Sequence, residues 1–294
     1  MELTWKDITF EEKETFERFY KYKTSRGCEL SFSNNYLWVA HYGTKWNVIE
    51  DCLVFYNPHR DSVSMPIGER IYDALEVLLN YYEEKGKPFL MHLVTAEQFE
   101  MLEKQYPGKF AIEYQRDVAD YIYEAESLGT LAGKKLHAKR NHINRFIENY
   151  PEWYYEEITD GNLEECLDMA QKWREQNKCD EDKEKSAEFC VTLRALKERE
   201  RIGLTGGAIR TRDGIVAFSL GAPLTDDTFV VHIEKAFAGV QGAYPMINRE
   251  FVLHAASGYR YINREEDMGE EGLRKAKMSY NPAILLEKGV VRLI

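Results

Sequence analysis

The chain of 294 residues carries 39 lysine and arginine residues against 50 aspartate and glutamate residues, a formal net charge of −11. Hydrophobic residues make up 44% and charged residues 30%, which is typical of a globular protein and excludes a disordered or fibrous chain. The acidic balance disfavours a general coat of nucleic acid or anionic lipid, because the field of the whole molecule repels phosphate.

The cysteine spacing and the first residues of the chain argue against metal sites, disulfides and a leader peptide. None of the five cysteines forms a Cys-x-x-Cys pair, so neither a metal site nor a disulfide framework is expected. The first residues show no basic-then-apolar leader. No window of about 18 apolar residues occurs, and no membrane span is expected. These features favour a bacterial, cytoplasmic protein.

The hydrophobic periodicity predicts helices and strands in both halves of the chain. In the first half, strands are predicted at 4–10, within 33–64, and at 88–94 and 110–124, with helices at 11–22, 69–85 and 96–105. In the second half, strands are predicted at 153–158, 204–210, 215–223, 228–236, 259–263 and 283–293, with helices at 162–175, 185–200 and 245–256. The similar order in both halves indicates two related α/β units in tandem. We expect the boundary at a glycine-bracketed segment, which gives domains 1–128 and 129–294.

A basic segment follows this boundary. Residues 133–146 hold five lysines and arginines and no acidic residue. As a helix, the segment aligns Lys135, Lys139 and His142 on one face, where like charges repel each other. An anionic ligand would relieve that repulsion. A solvated helix whose charges pair with acidic groups elsewhere explains the pattern equally well.

A glycine-rich turn lies between the strand at 228–236 and the helix at 245–256. Its small residues, Gly242 among them, would let backbone N–H groups approach a phosphate at the start of the helix. The alternative interpretation is a tight turn without a ligand.

Charged residues also lie at the ends of two predicted strands. Arg264 and three consecutive acidic residues follow the strand at 259–263, at the edge where ligands bind in open α/β sheets. Glu234 interrupts an apolar strand. A buried glutamate with a raised pKa suits a general base. The alternative interpretation is a structural glutamate that pairs with a neighbouring lysine or arginine. A charged surface loop is the alternative interpretation for the segment after Arg264.

Three stretches of the sequence resemble the bacterial DUF2156 proteins, which are similar to the C-terminal domain of phosphatidylglycerol lysyltransferase. These stretches are CELSFSNNYLWVAHYGTKWNVIEDCL at 28–53, GKKLHAKRNHINRF at 133–146 and YINREEDMGEEGLRKAKMSYNP at 261–282. The resemblance covers essentially the whole chain, and the stretch at 261–282 is its most specific part.

The resemblance implies a tandem acetyltransferase-like fold, with two units that each contain a mixed, mostly antiparallel sheet flanked by helices. It implies an acyltransferase that moves an aminoacyl group from a charged tRNA to a lipid, peptide or other amine or hydroxyl acceptor. The alternatives are an N-acetyltransferase with acetyl-CoA as donor and a non-catalytic ligand-binding module. The lysyltransferases carry a large membrane portion that this sequence lacks, so contact with a membrane would be peripheral.

The expected site combines the resemblance with the charge pattern. Glu234 or Glu265 is expected to act as the catalytic base. The residues expected to bind substrate are Lys135, Lys139, Arg140, His142, Gly242, Tyr244, Arg264, Arg274, Lys275, Lys277 and Tyr280. Acetyl-CoA enzymes of this fold usually carry Gln/Arg-x-x-Gly-x-Gly/Ala at the turn. Only Gly242 matches that motif here, which disfavours acetyl-CoA.

Overall fold

A computed structural model describes residues 2–294 of the chain. Its helices are α1 (Lys13–Tyr20), α2 (Phe32–Tyr42), α3 (Ile71–Glu84), α4 (Ala96–Gln105), α5 (Ala125–Thr130), α6 (His137–Asn149), α7 (Leu163–Gln176), α8 (Lys183–Ile202), α9 (Ala243–Ala255) and α10 (Glu271–Met278). Its strands are β1 (Lys6–Asp7), β2 (Lys45–Ile49), β3 (Cys52–Asn57), β4 (Ser62–Val63), β5 (Ile67–Gly68), β6 (Leu90–Thr95), β7 (Phe110–Tyr114), β8 (Asp120–Glu124), β9 (Tyr154–Glu157), β10 (Thr205–Thr211), β11 (Gly214–Thr225), β12 (Thr228–Ala236), β13 (Tyr261–Asn263), β14 (Ile284–Leu286) and β15 (Lys288–Leu293).

The chain divides into two compact units, and each unit combines separate stretches of sequence. Among the described residues, the first unit comprises 2–120, 266–271 and 285–294, and the second comprises 121–265 and 272–284. A single boundary was expected between residues 128 and 129. In the structure that position lies inside α5, within the second unit.

The sheet of the first unit has the strand order β1-β2-β3-β4-β6-β15-β7, with β5 paired to β3. The last strand of the chain, β15, pairs antiparallel with both β6 and β7. On it, Val291 lies opposite Met91 and Ile112 and is completely buried. Leu75 and Leu78 of α3 are buried in the same core. β15 is therefore an interior strand of this sheet.

The sheet of the second unit has the order β14-β8-β13-β12-β11-β10-β9. Strands β12 and β13 pair in parallel, and the chain between them forms α9, the crossover that a parallel pair requires. Neighbouring side chains of β12 point to opposite faces of the sheet. Lys235 contacts Trp173 of α7, whereas Glu234 bonds to Asn248 of α9. Helices therefore cover both faces.

The structure confirms the predicted fold class, because each unit contains a mixed, mostly antiparallel sheet with helices packed against it. The two or three antiparallel strands predicted within 33–64 are β2, β3 and β4, whereas Phe32–Tyr42 at the start of that run form α2. Ser31 Oγ accepts a hydrogen bond from Asn34 N at 3.2 Å and caps this helix. Gly43, in the left-handed conformation with φ 61°, ends it.

Candidate functional site

A buried ion pair lies beyond the paired segments of the two parallel strands in the second unit. Glu234 lies near the end of β12, and Arg264 directly follows β13. Arg264 Nη2 donates to Glu234 Oε1 at 2.8 Å, and only 11% and 13% of these side chains are exposed. Glu234 is thus paired with an arginine, which agrees with the alternative interpretation of this residue in the sequence. The pair occupies the edge at which ligands commonly bind in such sheets.

Polar atoms without partners surround this ion pair. Asn248 Nδ2 donates to Glu234 Oε2 at 3.1 Å, and Ser219 of β11 lies opposite Glu234 in the sheet register. Within residues 2–294, the buried side-chain atoms that lack a hydrogen-bond partner are Arg264 Nη1, Asn248 Oδ1, Ser219 Oγ and Arg199 Nε. Leaving such a group unpaired costs about 1–3 kcal/mol. A ligand that pairs the three atoms near Glu234 would recover that free energy.

The two basic segments of the sequence meet at the ring of Tyr280. Lys139 Nζ lies 4.0 Å from the centre of this ring, and the Arg264 guanidinium carbon lies 5.0 Å from it. Burial and the positive charge of Arg264 lower the pKa of Lys139 to about 8, although Glu234 opposes this shift. Burial raises the pKa of Tyr280, so its phenol stays neutral at physiological pH. Two cations thus face one carboxylate, which leaves a net positive charge. We call Lys139, Ser219, Glu234, Asn248, Arg264 and Tyr280 the Glu234 site.

A second pair lies beside this site. His232 is two residues before Glu234 on β12, so the two side chains share a face. Its Nδ1 lies 2.7 Å from Glu265 Oε1. Glu265 has φ 57°, an uncommon conformation for a residue other than glycine. Asn263 Oδ1 accepts from Glu265 N at 2.7 Å, and Lys277 Nζ donates to the carbonyls of Arg264 and Glu265 at 2.7 and 3.2 Å. Lys277 therefore fixes the backbone at Arg264 and Glu265 and so helps to position their side chains.

The remaining predicted site residues do not join the Glu234 site. Lys135, His142 and Lys275 have exposed side chains that take no part in its ion pair or hydrogen bonds, and Arg274 is half-buried. Arg140 Nη1 donates to the backbone carbonyls of Leu131 and Gly133, the latter at 2.8 Å, and so fixes the turn before α6. Tyr244 Oη accepts from Trp173 Nε1 at 3.2 Å.

Gly242 has a packing role at the start of α9. Its φ of 86° belongs to the left-handed region, and a Cβ there would lie 2.3 Å from the carbonyl oxygen of His142 and 2.9 Å from Phe146 Cβ. Close contact between α9 and α6 therefore requires a glycine, independently of any phosphate. The tight-turn interpretation accounts for this residue.

We expect Gly242→Ala to lower the free energy of unfolding by at least about 2 kcal/mol, because it adds backbone strain to a steric clash. Urea denaturation followed by circular dichroism measures the change. Gly239→Ala in the same turn is the matched control, since a Cβ there meets nothing within 4 Å. Equal stability of the two variants would show that α9 can move away from α6.

The first unit contains a separate buried cluster of charged groups. Lys288 Nζ donates to Asp120 Oδ1 at 2.8 Å and to Glu29 Oε2 at 3.0 Å. Cys28 Sγ lies 3.5 Å from Asp120 Oδ1 and 3.4 Å from Glu266 Oε2. Only 1% of the Lys288 side chain and none of the Asp120 side chain are exposed. We call these five residues the Lys288 cluster.

Electrostatics within the Lys288 cluster favour an ion-paired lysine. Burial lowers the pKa of Lys288, but the surrounding carboxylates outweigh it and raise this pKa well above its ordinary value. Burial raises the pKa of Glu29, although Lys288 opposes that shift. Ligand atoms of Cys28, Asp120 and Glu266 lie within 4.8 Å of one another, a spacing suitable for a metal ion. The ammonium of Lys288 already supplies positive charge there.

Sequence reasoning missed several of these residues. Asn248 and Ser219 did not stand out. Ser219 is a polar residue inside a largely apolar strand, a signal that could have identified it, whereas Asn248 is followed by Arg249 and Glu250 in α9 and gives no such signal. His232 lies two residues before Glu234 in the strand predicted at 228–236, and this shared face is the signal that could have identified it. The members of the Lys288 cluster are up to 260 residues apart in the chain, and no local pattern connects them.

No helix within residues 2–294 combines the length and the apolar character needed to cross a bilayer.

Comparison with known proteins gives one family match and several relatives. The sequence profile described as "Phosphatidylglycerol lysyltransferase, C-terminal" matches residues 20–290. A protein of Mycoplasmoides gallisepticum is 26% identical over 208 residues, which are 68% of this chain and 64% of that relative. This chain therefore matches slightly less than two thirds of that relative's length.

Two solved structures are similar over nearly the full chain. A conserved protein of unknown function from Bacteroides thetaiotaomicron is 41% identical with a TM-score of 0.92, and the match covers 100% of both chains. The structure of L-PGS from Bacillus licheniformis is 14% identical with a TM-score of 0.64, and the match covers 99% of this chain and 94% of that one. At 14% identity, the similarity to L-PGS shows a shared fold only.

Proposed function

Because the chain belongs to the family described as phosphatidylglycerol lysyltransferase, C-terminal, we propose that it transfers an aminoacyl group from a charged tRNA to an amine or hydroxyl acceptor. The resemblance to the DUF2156 proteins and the tandem acetyltransferase-like fold that it implied are confirmed. We place the reaction at the Glu234 site. The acceptor is a lipid headgroup, a peptide or a small molecule.

The observation that carries this proposal is the set of unpartnered atoms around Glu234. Arg264 Nη1 is a donor without an acceptor, and Asn248 Oδ1 is an acceptor without a donor. An aminoacyl ester offers the complementary groups, because its carbonyl oxygen accepts hydrogen bonds and its α-ammonium donates them. The site therefore suits an aminoacyl group better than a simple acetyl group, which has no ammonium.

Positive charge at the site matches the chemistry of acyl transfer. When an acceptor attacks the ester carbonyl, negative charge develops on the carbonyl oxygen, and cations placed there stabilise it. Arg264 and Lys139 supply that charge. The turn before α6 and the helix itself expose Lys134, Lys135 and Arg145, which suit contact with tRNA phosphates in an otherwise acidic protein.

The contacts favour Glu265 over Glu234 as the residue that serves proton transfer. The carboxylate of Glu234 is occupied by Arg264 and Asn248. Glu265 instead bonds His232, and a carboxylate that orients an imidazole stabilises the imidazolium formed when the histidine accepts a proton. In this scheme His232 takes the proton from the acceptor, and Glu265 is a positioning residue.

The test is a transfer assay with tRNA charged with a radiolabelled amino-acid mixture. Phosphatidylglycerol vesicles and hydroxylamine serve as alternative acceptors, and extraction into organic solvent separates a lipid product. We expect transfer above the protein-free rate, and a loss of about 10²-fold or more in kcat for Glu265→Gln. Lys104→Ala is the matched control, since its side chain is exposed on α4 in the first unit.

Other outcomes of this assay would contradict the proposal. Binding of charged tRNA without transfer to either acceptor would support a non-catalytic module. A binding constant that does not change with salt concentration would exclude phosphate contacts and with them the tRNA donor. Transfer from acetyl-CoA but not from tRNA would establish the acetyltransferase alternative.

A further inference from the structure

The backbone at Arg264 and Glu265 departs from regular strand geometry. Arg264 N donates to the carbonyl oxygen of Tyr121 at 2.9 Å, and Tyr121 N donates to the carbonyl oxygen of Glu265 at 3.2 Å. Tyr121 of β8 thus bonds two consecutive residues, which is the arrangement of a β-bulge. Glu265 also has a left-handed φ of 57°, which costs free energy in a residue that carries a Cβ. Bulges often re-aim side chains next to active sites.

Two buried polar side chains hold this bulge. Asn263 Oδ1 accepts from Glu265 N at 2.7 Å. Lys277 Nζ donates to the carbonyl oxygens of Arg264 and Glu265 at 2.7 and 3.2 Å. Asn263 is completely buried, and only 8% of Lys277 is exposed. Hydrogen bonds from a charged donor are stronger than neutral ones, so the ammonium offsets the cost of the unusual backbone.

Lys277 is itself held at a fixed place. It is buried, whereas Lys275 and Ala276 of the same helix are exposed. Tyr123 Oη donates to the carbonyl oxygen of Lys277 at 2.8 Å. Tyr123 is completely buried on β8, the strand that also carries Tyr121. The ammonium therefore reaches the bulge from a fixed base.

We propose that Lys277 is a positioning residue for the transfer reaction, and that it acts by holding the bulge that aims Glu265 at His232. This inference rests on the proposed function, in which His232 takes a proton and Glu265 orients its ring. His232 Nδ1 lies 2.7 Å from Glu265 Oε1, and a shift of the backbone at Glu265 would break that contact. The alternative is the direct contact between Lys277 and substrate that the sequence suggested.

The experiment measures transfer and tRNA binding for Lys277→Met and for Lys277→Arg, which keeps a charged donor. We expect Lys277→Met to lower kcat at least about tenfold, with the affinity for tRNA and its salt dependence unchanged, and Lys277→Arg to recover part of the loss. Lys104→Met, at an exposed position of α4, is the control. A lysine that binds a phosphate would instead reduce the slope of log affinity against log salt by about one, and that result would overturn the proposal.

A second comparison asks whether Lys277 acts through Glu265. Residues that act as one unit have losses that do not add. In a Glu265→Gln background, Lys277→Met should therefore lower kcat by no more than about twofold. A loss as large as in the wild-type background would show that Lys277 acts independently of Glu265.

A spectroscopic readout separates this inference from the proposed function. An ionised carboxylate only accepts hydrogen bonds, so the Nδ1–H of His232 donates to Glu265. Only 3% of the His232 side chain is exposed, and this proton should give an exchange-protected NMR signal in protein labelled with ¹⁵N-histidine. His232→Gln identifies the signal by its absence.

We expect Lys277→Met to lose the His232 signal and Lys277→Arg to keep it. Loss of the signal in a chain that shows no transfer from charged tRNA would support the positioning of Glu265 by Lys277 and remove the aminoacyl transferase. An unchanged signal in Lys277→Met would overturn the positioning role, whatever the activity of the chain.

Discussion

Replacement of Arg264 with methionine should lower the free energy of unfolding by about 3–5 kcal/mol, because it leaves Glu234 buried without its counter-charge. Arg264 and Glu234 are joined at 2.8 Å with little exposure of either side chain. Asn248 would remain the only hydrogen-bond donor to that carboxylate among the contacts described for residues 2–294. Urea denaturation at pH 7.5 measures the loss.

A double variant separates this explanation from a loss of packing. Glu234→Gln combined with Arg264→Met removes both charges, and we expect it to recover most of the stability lost in the single variant. Lys275→Met, at an exposed position, should change stability by no more than about 0.5 kcal/mol. A double variant as unstable as Arg264→Met alone would show that the guanidinium acts by filling space.

The second large effect is expected in the first unit, where Lys288→Met should also cost about 3–5 kcal/mol at pH 7.5. The substitution leaves Asp120 and Glu29 without the ammonium that contacts both. Thermal or urea unfolding measures the loss. Lys104→Met, at an exposed position of α4, is the matched control and should be close to neutral.

The loss in Lys288→Met should depend on pH with a defined sign. Burial raises the pKa of Glu29 in the folded protein, so the folded state binds this proton more tightly than the unfolded chain. The stabilisation that comes from this proton on Glu29 is fully present below the pKa of Glu29 in the unfolded chain. It is lost as the pH rises through the pKa of Glu29 in the folded protein. Removal of Lys288 raises the folded pKa further. The deficit should therefore shrink as the pH falls towards about 5, and a deficit that grows there would contradict this explanation.

The sequence predicted elements best where one strong periodicity spans the whole element. The helix predicted at 69–85 is observed at Ile71–Glu84, and its apolar face is buried in the core. The strand predicted at 110–124 is instead two strands, β7 and β8, because a short helical turn at Arg116–Val118 interrupts it. The segment 283–293 likewise divides into β14 and β15, which belong to different sheets. Apolar composition does not specify which sheet a strand will join.

Site residues with a local sequence signal could be predicted, and those brought together only by the topology could not. Glu234, Arg264 and Lys139 stood out because each is a charged residue in an unusual local context, and the structure brings all three together. The contacts of Asn248 and Ser219 depend on the register of β11 with β12 and on the packing of α9. The Lys288 cluster depends on the position of β15 between β6 and β7. Such contacts arise from topology, which local sequence does not encode.

The position of β15 between β6 and β7 also has a consequence for biosynthesis. These partner strands leave the ribosome some 180 residues before β15 is made, so each exposes an unpaired edge during most of translation. Unpaired edges are the templates on which strands of other chains associate. Pairing with β15 covers both edges at once, so this sheet is complete only after residues 288–293 have been made.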